Sequence, residues 1–413
     1  MSTRSPSRPG LLGRRDFRLL WAGETTSMLG SSVAAVAMPL VAVVTLEAST
    51  FAVGLLTAAA WLPWLVAGLP AGAWVDRLPK RPVMLASNAV SMAVFASVPV
   101  AAWLGALTMA HLLVVAVAGG VARVFFSLAY RAYLPYLVES GRLLEANTRL
   151  QGSESAAQIA GPGLAGLLAQ AFGAVSGVLA DALSFGVAVL CLRSVRVREP
   201  RGEAVAASER RMLAEIRAGL RFVRGDVYLR TLTVFSAVSN IALMGYQSIQ
   251  VVFLARDLGA GPGQVGVVLA LAGAGGLCGA VVAGRVAGRF GTARGFLLCE
   301  AFAAPMLLLG PSGGLALFAV GGFGVGAGIV ASNIMTSTFR QQYCPKDLFA
   351  RVTASTSALN YGAVPLGGLL GGALGQAIGV RETLWLMAVL QLGSIGVLLA
   401  SPIRRLRDLP AGL

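Results

Sequence analysis

The chain has 413 residues, 56% of them hydrophobic and only 12% charged, with a mean hydropathy of +0.76. Those values exclude a soluble globular domain, in which about a quarter of residues are charged. A net charge of +15 would suit a nucleic-acid partner, but the cations sit in short loops between long apolar runs, a placement that speaks for a membrane and against nucleic acid.

Crossing a hydrocarbon core of ~30 Å takes about 20 apolar residues as helix. Runs of that size lie at 17–44, 51–75, 83–104, 108–129, 152–172, 174–192, 228–255, 263–287, 295–310, 314–336, 352–378 and 382–401. They are too long and too evenly apolar for the strands of a lipid-facing barrel, so an all-α membrane protein of twelve transmembrane helices is expected.

The first run follows Arg14-Arg15-Asp16-Phe17, superficially a twin-arginine export signal, but it is too long for a signal core and reads as a retained helix. Within it stands Glu24. A charge inside a span is costly, so each is a functional candidate by default. Gly72-Ala73-Trp74-Val75-Asp76-Arg77-Leu78-Pro79-Lys80-Arg81 follows the second run. The fourth run holds the lone His111 near its outer end and Arg123 near its inner end, and Arg131-Ala132-Tyr133-Leu134-Pro135 follows. Glu24 and Arg123 lie at matching depths of roughly 10 Å, which predicts that they face the central cavity near one another. Either Glu24 is reversibly protonated there or the two form a permanent structural ion pair. The fifth run carries Glu154 near its cytosolic edge, where it reads as a cap, and then Gly161-Pro162-Gly163-Leu164-Ala165-Gly166. Asp181 stands near mid-depth in the sixth as a second carboxylate candidate, with Ser184 one turn on as an alternative hydrogen-bond partner.

An Arg-rich stretch at 193–227 divides the runs six and six, giving halves at 1–192 and 228–413. Inside it Ser208 opens, and Gly225 closes, an amphipathic pattern of Leu213, Ile216, Leu220 and Val223 that predicts a helix on the inner leaflet. Asn240, Tyr246 and Gln250 lie in the seventh run, Glu300 in the short ninth and Asn333 in the tenth. Three ordered echoes relate the halves. Gly72 to Arg77 parallels Gly284 to Arg289 at 212 residues, Arg131 and Pro135 parallel Arg340 and Pro345, and Gly161 to Gly166 parallels Val364 to Gly368. With the N-terminus in the cytosol, all of the 33 Lys and Arg residues but Arg123, Arg256 and Arg381 fall on the cytosolic side, as the positive-inside rule expects.

The Gly72 to Arg81 loop resembles the signature between helices two and three of the major facilitator superfamily, departing from it at Trp74 and Pro79. Phe17-Arg18-Leu19-Leu20-Trp21-Ala22-Gly23, Arg131 to Pro135 and Glu215 to Val223 are similar to a branch of bacterial exporters that includes enterobactin-exporter-like and macrolide-efflux-like proteins. The resemblance implies two pseudo-symmetric six-helix bundles, with Gly72, Asp76, Arg77 and Arg81 latching the cytosolic side shut in the outward-open state. The second copy has Gly288 in the place of the acid. Ala157 to Gly166 resembles the antiporter motif with alanine in place of two glycines, which implies export and a gating role for Gly161 and Pro162. The spans expected to line the cavity offer Asn240, Tyr246, Gln250 and Asn333 as substrate contacts, each alternatively a helix–helix hydrogen bond.

Lys80 and Lys346 are the two lysines, and each follows a proline, so the chain lacks a phosphate-binding G-x-x-x-x-G-K-[ST] loop and ATP drive within it. No cofactor, metal or enzymatic activity is expected. Nor is a disulfide: the four cysteines make no C-x-x-C pair. The expectation is a monomeric secondary transporter in the bacterial inner membrane, both termini cytosolic. It would couple Glu24, Arg123 and Asp181 to protons and export a small amphiphilic compound such as a drug, macrolide or siderophore-like metabolite. An importer or passive facilitator of the same fold, or a non-transporting sensor, stays open.

Overall fold

The computed structural model describes residues 11–197 and 219–410. Among these residues there is no strand, and twelve long helices account for most of the chain. They are α1 Arg15–Leu40, α2 Thr50–Arg77, α3 Lys80–Trp103, α4 Met109–Leu137, α5 Leu143–Phe172 and α6 Val175–Arg193, then α7 Val227–Val252, α8 Pro262–Phe290, α9 Thr292–Met306, α10 Leu315–Tyr343, α11 Lys346–Ala377 and α12 Val380–Leu399. Most of the linker pattern, including Ser208, Leu213 and Ile216, lies outside the described residues.

Local chemistry sets the ends. Ser49 caps α2 by accepting from Ala52 N at 3.3 Å, Thr108 caps α4 through His111 N, and Asp226 caps α7 through Tyr228 N and Leu229 N. Gly173 and Gly379 end α5 and α11 at φ 85° and 105°, a region that glycine enters without steric cost. Each half's first helix runs on into a single π-type turn, Val41–Thr45 after α1 and Phe253–Asp257 after α7.

Ten of the twelve helices are long and apolar enough to cross a bilayer by length and composition. The other two, α5 and α11, are the matching fifth members of each half. The helices also outrun the hydropathy estimates at one end of the molecule. α4 continues to Leu137 and α10 to Tyr343, while α5 starts at Leu143 and α11 at Lys346. Hydropathy finds where hydrocarbon stops, and a helix with satisfied backbone hydrogen bonds need not stop there. Glu154, expected as a cap, is therefore well inside α5, where it accepts from Gln151 Nε2 at 3.2 Å.

The helices pack as two sextets. In the first, α1 lies on α5 and α6, α2 on α4, and α3 on α4 and α6; in the second, α7 lies on α11 and α12, α8 on α10, and α9 on α10 and α12. Burial repeats between them in register. α3 buries Met84, Ser87, Asn88 and Ser91, and α9 buries Phe296, Cys299, Glu300 and Ala303, each 212 residues later. α4 buries Leu112, Val115, Ala129, Tyr133 and Leu137, and α10 buries Phe318, Gly321, Met335, Phe339 and Tyr343, each 206 later. Gly177, Val178, Asp181 and Ala182 of α6 answer to Thr383, Leu384, Met387 and Ala388 of α12 at the same 206. This register corrects one sequence echo. Arg131 corresponds to Ser337 rather than Arg340, and Pro135 lies inside α4 whereas Pro345 caps α11.

One end of the molecule carries the α2–α3, α4–α5, α8–α9 and α10–α11 connections with the arginines that flank them, together with the end of α6 at Arg193 and the start of α7 at Val227, and is called the basic end here. The sextets meet toward the opposite end, through α2 with α11 and α5 with α8. A Cβ on Gly54 would lie 2.5 Å from Gly372 Cα, and one on Gly166 would lie 2.8 Å from Gly266 Cα. Without side chains the backbones touch there, as apolar surroundings favour. Arg256, after α7, donates across the seam to Val43 O at 3.3 Å and Ala48 O at 2.8 Å. Toward the basic end the halves part. A Cβ at Gly68, Gly152 or Gly284 meets nothing within 4 Å, and a groove of about 820 Å³ opens between Asn147, Gln151, Ser155 and Ile159 of α5 and Leu277 of α8. The hydrophobic cores follow suit. One core draws on both halves (Val36, Leu56, Ile249, Phe253), whereas the basic end has a separate core for each half, around Tyr133 and Met84 and around Phe296 and Phe339. The protein is shut at one end and open at the basic end.

Candidate transport site

Inside the first sextet, α1, α2, α3, α4 and α6 enclose a cavity of about 310 Å³. Its walls are largely apolar, with Met28, Met38, Trp61, Phe95, Phe126 and Phe185. Into it project Glu24 and Ser31 of α1, Asn88 and Ser91 of α3, Arg123 of α4 and Asp181 of α6. The three charged candidates from three separate helices thus share one chamber. It lies within one half of the molecule, and no described residue of the second half lines it.

Asp181 is 1% exposed. Ser184 Oγ donates to its main-chain oxygen at 2.8 Å and lies 3.3 Å from its Oδ1, and Ser31 Oγ approaches Oδ1 at 3.5 Å. Gly30 makes this possible, since a Cβ there would collide with Ser184 Oγ and Asp181 Oδ1. Arg123 is exposed to the chamber and within electrostatic reach of both Asp181 and Glu24, but it forms no ion pair within 4 Å among the described residues. A permanent Glu24–Arg123 salt bridge is therefore not what the geometry shows. Trp21 Nε1 at 3.1 Å and Thr25 Oγ1 at 2.9 Å hold Ser153 of α5 beside the Glu24 turn.

Tyr130 escaped the sequence reading. It stacks on Phe126 with centroids 5.9 Å apart, its hydroxyl is buried without a partner, and Glu24 and Glu154 act on it electrostatically. The available signal was its spacing of two helical turns from Arg123, which puts both on one face. Asn88, buried and polar in a span, carried the same kind of signal.

A second, smaller cavity of about 220 Å³ lies in the other sextet between α7, α8, α9 and α10. Tyr246 and Gln250 line it with Gln247, Phe318 and Met306, and Tyr246 Oη points to Leu307 O at 3.4 Å. Asn240 is instead engaged by its neighbours, donating to Ser236 O of its own helix at 2.9 Å and across to Asn360 Oδ1 of α11 at 3.4 Å. Asn333 is exposed and lines neither cavity.

The motif residues divide. Gly161 packs against Ser32 of α1, and Pro162 O lies 2.6 Å from where a Gly266 Cβ would be, so this stretch of α5 forms both the intra-half packing and the inter-half seam. Arg81 donates to Leu192 O at 3.3 Å and Arg193 O at 2.8 Å, tying α3 to the last carbonyls of α6. Arg77 is exposed at the open end, and the Asp76 side chain lies outside the described residues. Gly72, expected to permit a close helix approach, has nothing within 4 Å of its Cβ position, because the halves are parted there. His111 Nε2 meets Ser97 Oγ at 2.8 Å, and Glu300 is buried in the second sextet beside Ser332.

Residues 7–410 match the family described as Transmembrane secretion effector. The chain is 30% identical over 419 residues to the multidrug efflux pump Tap of Mycolicibacterium fortuitum, covering 96% of this chain and 97% of that one. It is 22% identical to macrolide efflux protein A of Streptococcus pyogenes, covering 89% and 91%. Its fold superposes on the crystal structure of the nucleoside transporter NupG with a TM-score of 0.74 at 13% identity, over 93% of this chain and 99% of that one. The protein is a multi-pass membrane transporter and not an enzyme. Twelve helices in two related sextets that part at one end, with a charged chamber inside the first, are accounted for by one conclusion: the chain belongs to the transmembrane secretion effector family of major facilitator transporters.

Proposed function

We propose that this transporter exports a small amphiphilic organic compound, of drug, macrolide or siderophore-like class, across the bacterial inner membrane in exchange for protons. The observation that carries the reading is the chamber that gathers Glu24, Asp181 and an unpaired Arg123 among aromatic and aliphatic walls. Such walls accept varied amphiphiles. Whether a carboxylate there holds a proton depends on its desolvation and on its distance from the guanidinium, and both change when helices move. The names of the efflux relatives favour drugs and macrolides as cargo.

In this proposal the basic end faces the cytosol, with both termini, and the structure represents the inward-open state of a monomer whose halves, 1–192 and 228–413, rock about the glycine seams. Asp76, Arg77 and Arg81, beside Gly72, latch the basic end when it closes, and Gly161 and Pro162 form the pivot region. Tyr246 and Gln250 contact cargo from the second half, with Asn240 and Asn333 joining once the halves close.

The test is radiolabelled erythromycin flux in proteoliposomes with an imposed pH gradient. Wild-type flux should follow the gradient and collapse with a protonophore, and Glu24→Gln or Asp181→Asn should reduce it by roughly tenfold or more, the equivalent of ~1.4 kcal/mol. Wild-type flux indifferent to the gradient would identify a passive facilitator, and flux absent for both erythromycin and ethidium would identify a non-transporting protein.

A further inference from the structure

A second buried carboxyl lies outside the chamber. Glu300 of α9 is 4% exposed, and among the described residues its one polar contact is Ser332 Oγ of α10, 2.5 Å from Oε1; Oε2 is buried without a partner. Among the described residues no cation pairs with it. The charged groups on α9 and on the elements packed against it are, among the described residues, Arg294 of α9, Arg285 and Arg289 of α8, Arg340 of α10, Arg381 and Glu382 of α12, and Arg404, Arg405, Arg407 and Asp408 of the C-terminal segment. None of them acts on it electrostatically, and the Cys299 thiol is its ionisable neighbour.

The serine geometry indicates where the proton is. Ser332 Oγ lies 2.5 Å from Glu300 Oε1 and also 3.0 Å from Ile329 O, yet a hydroxyl has one hydrogen. Ionised, Glu300 and the Ile329 carbonyl would compete for that hydrogen, and a buried negative charge would have at most one donor. As the neutral acid, Glu300 O–H donates to Ser332 Oγ, the serine donates to Ile329 O, and each hydrogen has its acceptor.

The two-fold register adds a third member. Glu300, Ser332 and Gln391 correspond to Asn88, Phe126 and Phe185, all of which line the chamber of the first half. Gln391 of α12 is 1% exposed, and neither its amide nitrogen nor its amide oxygen has a partner. The second half therefore directs an acid, a hydroxyl and an unsatisfied amide to the positions that in the first half surround a cavity.

We propose that Glu300, with Ser332 and Gln391, is a second proton-binding site, loaded in the state open at the basic end and independent of the Glu24, Arg123 and Asp181 chamber. On the change of state the Glu300 O–H bond breaks, the proton passes to water, and a carboxylate remains until a proton returns. Its part in the transport cycle rests on the proton exchange proposed above, but its protonation does not.

The test therefore has two arms. Infrared difference spectra of the purified protein at neutral pH should show the carbonyl stretch of a protonated carboxyl that survives Glu24→Gln and Asp181→Asn. It should vanish in Glu300→Gln and move to higher frequency in Ser332→Ala, which removes the hydrogen-bond acceptor. A spectrum unchanged by Glu300→Gln overturns the site, whether or not the protein exchanges protons for cargo. In proteoliposomes, the ratio of proton influx, read by entrapped pyranine, to erythromycin flux should fall by one proton per molecule in Glu300→Gln. An unchanged ratio overturns its role in the cycle.

Discussion

Arg123 tests how the chamber works at the residue scale. It is the cation within reach of both Glu24 and Asp181, so Arg123→Ala leaves two carboxyls in an apolar chamber with nothing to balance them. Gradient-driven flux should fall by about tenfold or more, and Arg123→Lys, which keeps a charge without the planar fork, should recover part of it. Tyr130 is a contrasting case. Its buried hydroxyl has no partner here, and an unsatisfied polar group costs about 1–3 kcal/mol. Tyr130→Phe should leave the melting temperature of the purified protein unchanged or raise it; a fall of several degrees would mean that the hydroxyl is satisfied in the resting protein.

At the scale of elements, the seam is made by helices that omit side chains. Gly54 and Gly372 join α2 to α11, and Gly166 and Gly266 join α5 to α8. Gly166→Leu should wedge α5 from α8 and favour opening at that end. Spin labels on the α1–α2 and α7–α8 turns, read by double electron–electron resonance, should then report a longer distance population. Arg256→Ala removes two guanidinium hydrogen bonds across the same seam, at about 1.5–3 kcal/mol for each such bond at most. It should shift the same populations in the same direction, and more weakly if solvent replaces the lost contacts. An unchanged distance distribution in both variants would mean that neither contact contributes to closure.

For the whole molecule, the division of the core carries the consequence. Apolar burial is shared between the halves away from the basic end and is separate within each half near it, so in the proposed rocking the two basic-end cores stay intact while the shared core must part. In the orientation proposed above, the open end faces the cytosol. Protease added to inside-out vesicles should cut in the 193–227 linker and remove tags from both termini, while right-side-out vesicles should be resistant at all three places. Cleavage in the reverse pattern would put the open end outside.

Much of this was legible in the sequence because hydrocarbon imposes a one-dimensional rule. Each crossing needs an apolar run, and each connection on the cytosolic side attracts arginine, so span number, duplication and the cost of Glu24, Arg123 and Asp181 could all be read along the chain. Helix ends could not, because α4, α5, α10 and α11 extend beyond the apolar limit where hydropathy is silent. Matching depth paired Glu24 with Arg123, but the seating of their chamber inside one sextet with Asp181 of α6, the absence of a salt bridge within it, and the use of Arg256 as a strap could not be read. Those depend on which faces pack together and at what distance, and packing in three dimensions is decided by backbone approach at glycines such as Gly30, Gly54 and Gly166. The burial register that sets Glu300 and Gln391 against Asn88 and Phe185 likewise exists only once both halves are folded.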